Sequence, residues 1–342
     1  MKIIKLLLIL SIITNIAIAN IFKNYFIDNK NTQEHIKFHK DILNNLYENI
    51  ILNDINNTIY NLKLLKISIN DKNIKSSKEY FTKLVSLWKS IEAFYILGDI
   101  DSKYIDIPRY IDIFNQGKED IKKQLNLILK STTPLNISLY KNSHKSINAL
   151  EYILYKKDIN KIRVNKTLNI IIESIQNHIS TIYKAYKNKK ESFLFDNKEA
   201  NSIIINKLIE SSYKLKSWRV GDVLGYGKKY KNNPNIKRSE YYISKNSMNS
   251  IKAILLLHKR VIDSKNFNDF GDYLIDIDIL SYKKELLYTI NQSLNSLKVV
   301  KNDDITKTKE LYKNIKKLHR IYYIKLIDQI NIKANILDAD GD

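Results

Sequence analysis

The sequence predicts an all-α protein, and its composition and patterning lead to that class. Only seven of the 342 residues are glycine and three are proline, so turn signals are sparse. The long stretches between them carry apolar residues at the spacing that places them on one face of a helix. An apolar content of 44% is enough for a sizeable core. A sheet protein, which needs frequent turns, is disfavoured.

The first 19 residues have the pattern of a signal peptide. Lys2 and Lys5 form a basic start, a mostly apolar run covers residues 6–18, and Ala-Ile-Ala at residues 17–19 is a cleavage signal. Cleavage after Ala19 and a periplasmic location are therefore predicted. An uncleaved anchor is the alternative, although the apolar run is short for a span.

Charge and cysteine content narrow the classes of partner. The formal net charge is +21, which ordinarily indicates nucleic acid or anionic lipid. Export separates the protein from nucleic acid, and lysine is spread along the whole chain, so a solvated surface is the preferred interpretation. No later apolar run reaches membrane-spanning length, so no stable span is expected after cleavage. The absence of cysteine excludes a disulfide framework.

Helical periodicity predicts successive helices between a few clear breaks. The breaks are Gly98, interpreted as a C-cap, the Ser-Thr-Thr-Pro sequence at 131–134, the polar stretch 156–165 and the glycine-rich stretch 221–227. The predicted helices cover residues 32–69, 77–97, 110–130, 142–155, 168–188, 201–218, 247–262, 281–299 and 305–336. The polar stretch is the candidate link between an N-terminal bundle, residues 20–157, and a C-terminal bundle, residues 158–342.

Two carboxylates occupy unexpected positions on these helices. Glu151 lies between Ile147 and Leu154 in the apolar stripe of helix 142–155, and Asn148 lies on its flank. Glu92 has the same setting on helix 77–97. A buried carboxylate must be paired, ligate a cation or have a raised pKa. The alternatives are that Glu151 reaches water and that Glu92 pairs with a basic residue such as Arg109.

Three weaker signals are interpreted as structural. His35 and His39 have the spacing of a two-histidine metal site, but the residue after His35 is not the glutamate that an HExxH motif requires. The stretch GDVLGYGKK at 221–229 fits no phosphate-loop spacing and is expected to be an irregular loop. His144 is expected at the surface.

Several motifs follow one another along the chain: the signal peptide, WKSIEAFYILGD, an element ending in ALEYIL, SEYYISKNS and a terminal DADGD. This ordered set resembles the imelysin-like family, and the resemblance covers roughly residues 34–342. The resemblance implies two helical bundles with a cleft where they meet. It also implies an association with the bacterial envelope and with iron regulation or uptake, and the family name reflects a proposed peptidase activity.

The family motif GxHxxE falls on helix 142–155 and is altered in this chain. Glu151 keeps the acid, Ser146 replaces the glycine and Asn148 replaces the histidine. Without that histidine, a metal site at Glu151 loses its better transition-metal ligand, and asparagine is no general base. The resemblance further places Glu92, Ser239, Glu240 and Ser244 in the same cleft.

These observations predict a non-enzymatic periplasmic binding protein linked to iron or metal uptake or homeostasis. Its site comprises Glu151, Asn148, Ser146, Glu92, Ser239, Glu240 and Ser244. The cofactor is left open: Glu151 is the candidate ligand if a metal ion binds, and a small ligand is the other option. A metallopeptidase-like envelope enzyme and a helical module that binds an envelope protein are the alternatives.

Overall fold

The computed structural model describes residues 32–117 and 119–330. The predicted signal peptide and the terminal DADGD lie outside the described residues. Within these ranges every regular element is helical, which confirms the prediction of an all-α fold. None of the helices there combines the length and the apolar character needed to cross a membrane.

The described helices follow the predicted order. The longer ones are α1 (32–46), α2 (Asn53–Asn70), α3 (Ile74–Ala93), α4 (Ile121–Lys130), α5 (Ile147–Lys156), α6 (Ile162–Phe193), α7 (Asn197–Lys214), α8 (Ser247–Ile262), α9 (Phe270–Asp276), α10 (Leu280–Lys298) and α11 (Lys309–Arg320). Short α-helices are Leu97–Ile100, Ile107–Ile111, Leu135–Ser138, Asp222–Leu224 and Ile327–Ile330. Helices α1 and α2, and likewise α7 and Asp222–Leu224, are joined by π-helical segments, Tyr47–Leu52 and Leu215–Gly221, and a third π-helical segment, Ile321–Leu326, follows α11.

The helices form two groups that meet along α3 and α8. In the first group α2 packs against α3 and α6, and α5 packs against α6. In the second group α8 packs against α10, α10 against α11, and α11 against α7. Helices α3 and α8 pack extensively on each other, and the buried apolar side chains form one continuous core. Helix α6, which the predicted boundary assigns to the C-terminal bundle, packs on α2 and α5 of the first group. The boundary at residue 157 stays a prediction.

Several predicted helices begin or end at other residues in the structure, and two of these differences lie next to the site. Helix α3 ends at Ala93 rather than at residue 97, and Gly98 lies in the next short helix, where a Cβ atom would be 2.9 Å from the Ile105 Cα. The predicted helix 110–130 is interrupted between Ile111 and Ile121. Asp120 begins the second part by accepting a hydrogen bond from the Lys123 amide. This interruption places Asp112 in a loop at the junction of the two groups.

Candidate functional site

A buried network of charges lies where the two groups of helices meet. The Lys89 ammonium, on α3, is fully buried. Its Nζ donates to Glu92 Oε2 at 2.7 Å and to Asp112 Oδ2 at 2.6 Å, and lies 2.6 Å from Glu240 Oε1. Arg219 donates from Nε to Glu240 Oε2 and from Nη2 to Glu92 Oε2, both at 2.8 Å. Two cations thus hold three carboxylates.

The Asp112 carboxylate is the most heavily bonded member of this network. Besides Lys89, its Oδ2 accepts hydrogen bonds from Trp88 Nε1 at 3.1 Å and from the Tyr241 hydroxyl at 2.7 Å. Its Oδ1 accepts from the Phe114 amide at 2.9 Å. Burial on its own would raise the pKa of Asp112, but the Lys89 ammonium and these donors hold that pKa well below its usual range. Asp112 is therefore a fixed negative charge.

Local backbone structure places Arg219 and Glu240 in the network. Arg219 lies in the π-helical segment Leu215–Gly221, which directs its side chain towards α3. Gly221 ends that segment, and a Cβ atom there would lie 2.8 Å from the Lys216 carbonyl oxygen, so only glycine fits without a shift. Glu240 lies in the irregular stretch before α8, and burial raises its pKa although Arg219 and Lys89 act in the opposite direction.

The three carboxylates of the network have the spacing of a metal centre. One oxygen each from Glu92, Asp112 and Glu240 lie within 4.8 Å of one another. The Lys89 ammonium, however, is 2.6–2.7 Å from all three residues and occupies the position that a cation would need. The residues as they stand do not fit a metal ion, because the lysine is already the cation that balances them.

Glu151 is buried a short distance away and has a different environment. Its Oε1 accepts hydrogen bonds from the Ser244 amide at 2.8 Å and from the Ser244 hydroxyl at 2.7 Å. Burial raises the pKa of Glu151 to about 7, although the hydrogen bonds from Ser244 lower it. Among the described residues, the group of three candidate metal ligands does not include Glu151. Metal ligation by Glu151 stays a prediction.

Two of the other predicted site residues, Asn148 and Ser146, bind backbone groups near these acids. Asn148 Oδ1 accepts from the Ile113 amide at 2.9 Å, so it fixes the loop that carries Asp112. Ser146 caps α5 by accepting from the Ala149 amide at 3.2 Å. The Ser239 hydroxyl is buried and has no hydrogen-bond partner among the described residues.

The structure brings Glu92 and Glu240 into one network and Glu151 and Ser244 into a neighbouring pair. Arg109, the partner considered for Glu92, is exposed and pairs with Asp106 instead. Sequence reasoning missed Lys89, Asp112, Arg219 and Tyr241. Lys89 lies three residues before Glu92, and that spacing was the one available signal.

The expectation for one histidine was wrong, and the other two have a structural role. His144 is buried, and its Nε2 lies 2.6 Å from Gln124 Oε1. The pair His35 and His39 does act jointly, since both contact the Asp276 carboxylate, at 2.9 and 2.7 Å. These contacts attach α1 to the end of α9.

Fold and site together define a class of protein. The described part of the chain is all-helical, and a buried ionic network lies between its two groups of helices. The model of the imelysin family, peptidase family M75, matches residues 63–260, which is more than half of the chain. The chain therefore belongs to the imelysin family, as its motifs predicted.

Two solved structures are similar in fold. An imelysin-like protein from Psychrobacter arcticum 273-4 has a TM-score of 0.73 at 14% identity and covers 88% of this chain and 98% of its own. A protein from Parabacteroides distasonis ATCC 8503, described as an iron-regulated protein A precursor, has a TM-score of 0.61 at 11% identity, covering 84% and 93%. At these identities the likeness shows the fold.

One curated relative matches part of the chain. The Arp2/3 complex-activating protein rickA of Rickettsia montanensis is 25% identical over 177 residues, which is 50% of this chain. The chain spans only 29% of the length of that relative.

Proposed function

We propose that the protein is a non-enzymatic binding protein, exported to the periplasm, that takes part in the uptake or homeostasis of iron or another metal. Membership of the imelysin family and the fold shared with an iron-regulated protein support the link to iron. The basic and apolar pattern of residues 1–19 supports export.

One observation favours binding over catalysis: the acids at the junction are neutralised inside the protein. A general base has to accept a proton within reach of a substrate, yet Asp112 is buried and bonded to Lys89. A catalytic metal needs an open coordination position, and the Lys89 ammonium fills the centre of the carboxylate group. The network therefore acts as a rigid support for a binding surface.

Three measurements test this proposal. The chain from residue 20 onwards is incubated with an unfolded protein substrate, with and without a chelator, and no cleavage is expected. In a bacterium that lacks the protein, iron accumulation is expected to fall and to recover when the wild type is restored. Cell fractionation of the strain in which the wild type is restored is expected to place the protein in the periplasm.

Glu240→Gln and Glu79→Gln serve as matched variants, because Glu240 belongs to the network and Glu79 is exposed on α3. Only Glu240→Gln is expected to impair the recovery of iron accumulation. Cleavage that a chelator and Glu240→Gln both abolish would establish the metallopeptidase instead. Normal iron accumulation without the protein, together with no cleavage, would favour the module that binds an envelope protein.

A further inference from the structure

A cavity open to solvent lies beside Glu151 and is lined by lysine and tyrosine side chains. Its volume is about 470 Å³, which is the size of a small-molecule site. The lining residues are Lys122, Tyr152, Lys156, Lys157, Tyr242, Ile243 and Lys245. Helix α4, the end of α5 and the stretch before α8 each contribute, so elements of both helix groups form the walls.

The lining is positively charged and lacks acids. Four of its seven residues are lysine and none is aspartate or glutamate. Within the described part of the chain, none of these four lysines forms an ion pair, whereas Lys89, Lys207 and Lys214 each contact a carboxylate. Like charges gathered in a concave site concentrate the field there and attract counter-ions. Lysine ammonium groups suit an anion with several oxygens, since each acts as a point charge with three donors.

Glu151 lies beside this cavity and bears on its charge. Tyr152 of the lining follows Glu151 on α5, and Ile243 and Lys245 flank the Ser244 that binds it. Lys122 is close enough to Glu151 to lower its pKa, but burial dominates and raises that pKa to about 7. At neutral pH a large part of Glu151 is therefore neutral, and it opposes an anion less than an ionised carboxylate would.

One wall of the cavity is held in an unusual backbone conformation by the buried network. Tyr241 and Lys245, at the two ends of this wall, have φ angles of 54° and 57°, in the left-handed region that residues with side chains rarely adopt. Tyr241 is anchored through its hydroxyl to Asp112, and Ser244 is anchored to Glu151. A strained segment with such anchors is preorganised, which reduces the cost of ordering it around a ligand.

We propose that this lysine-lined cavity binds a small anion carrying several carboxylate or phosphate oxygens. The proposal rests on the proposed binding function and names its ligand class: iron would enter as a negatively charged ferric chelate, held through the chelator. Tyr242 adds ring surface and a hydroxyl donor to the four ammonium groups, whereas the Tyr152 hydroxyl already donates to Asn126 Oδ1 at 2.8 Å and Tyr152 contributes ring surface alone. Bare metal cations would be repelled from this cavity.

Titration calorimetry with iron-free and iron-loaded anions tests the proposal. The chain from residue 20 onwards is titrated with citrate, ferric citrate, inorganic phosphate and pyrophosphate at pH 7 in about 0.15 M salt, which screens diffuse surface attraction. Saturable binding of at least one of them with one site per chain is expected. Ferrous and zinc chloride are expected to show no competition with it.

A charge-matched pair of variants separates the cavity from the general positive charge. The triple variant Lys156→Gln, Lys157→Gln, Lys245→Gln removes three cavity charges, and Lys40→Gln, Lys63→Gln, Lys231→Gln removes three exposed charges outside the lining. The first is expected to weaken binding about tenfold or more, because it removes three of the four close positive charges that attract the anion. The second is expected to change binding less than about threefold.

Each result decides the proposal. Equal weakening in both triple variants, or no saturable binding of any of the four anions, would overturn it. Cavity-dependent binding of iron-free citrate or phosphate in a protein whose loss leaves iron accumulation normal would keep the anion site and reject the role in iron. Iron accumulation that needs the protein but is unaffected by the cavity triple variant would keep the role in iron and reject the cavity as the site that binds the iron chelate.

Discussion

At the scale of single residues, Lys89 is the side chain on which the network depends most. It is the one ammonium shared by Glu92, Asp112 and Glu240, and it is fully buried. Removing one partner of a buried ion pair leaves an uncompensated charge, which costs far more than the intact pair gains. Burial itself lowers the pKa of Lys89, and the three carboxylates more than reverse this, so the lysine stays charged.

We expect Lys89→Met to lower the free energy of unfolding by about 3–5 kcal/mol. Lys66→Met is the control, because Lys66 pairs with Glu173 at the surface and such pairs contribute at most about 1 kcal/mol. Urea denaturation followed by circular dichroism measures both. If the two variants lost equal stability, the network would not depend on the buried ammonium.

For Glu151 we expect a substitution to stabilise the protein, because burial of its carboxylate opposes folding. Its pKa is raised from 4.5 to about 7. Between these values the folded chain keeps the proton that the unfolded chain releases, so the wild type loses stability as pH rises through that window. Glu151→Gln removes this loss and keeps an oxygen for Ser244.

The stability gained by Glu151→Gln over the wild type should therefore grow from near zero below pH 4.5 to about 3 kcal/mol at pH 8, at about 1.4 kcal/mol per pKa unit. Urea denaturation across this pH range measures it. Glu79→Gln, at an exposed position on α3, should give no such trend. A stability difference for Glu151→Gln that did not change with pH would show that folding leaves the pKa of Glu151 unchanged.

At the scale of elements, Asn148 shows how the start of α5 positions a loop. The resemblance to the family predicts a histidine at this position, and in this chain the side-chain oxygen of Asn148 accepts a hydrogen bond from the Ile113 amide directly after Asp112. Its position one turn before Glu151 could be read from the periodicity of α5. Its partner could not, because the loop at Asp112 was predicted to be helical and the contact spans 35 residues.

Asn148→Ala should lower the free energy of unfolding by about 1 kcal/mol, because it removes an acceptor from a partly buried amide. Asn57→Ala, at an exposed position in α2, is the control for the higher helix propensity of alanine, which is worth at most about 0.7 kcal/mol. Thermal or urea denaturation of both variants gives the comparison. Stability changes of the same sign and size would show that the contact with Ile113 contributes nothing.

At the scale of the whole molecule, periodicity predicted what depends on local sequence. The apolar stripes of the helices, and the acids Glu92 and Glu151 within them, follow from spacing along one helix. The network does not, because Arg219 and Glu240 reach Glu92 and Lys89 across more than 100 residues of chain. The π-helical geometry that directs Arg219 is set by tertiary packing and left no sequence signal beyond Gly221.

The continuity of the core across both helix groups leads to the last prediction. The chain contains two tryptophans, Trp88 on α3 and Trp218 in the π-helical segment of the second group. Trp218→Phe leaves fluorescence that reports on the first group, and Trp88→Phe leaves fluorescence that reports on the second. Because α3 and α8 share one core and the network joins the groups, each variant should unfold in urea in a single transition. Its fluorescence midpoint should equal its own circular dichroism midpoint, which removes any effect of the substitution on overall stability. Separate midpoints would instead indicate two independently folding bundles, as a boundary at residue 157 would require, and the buried network would then be an interface between domains.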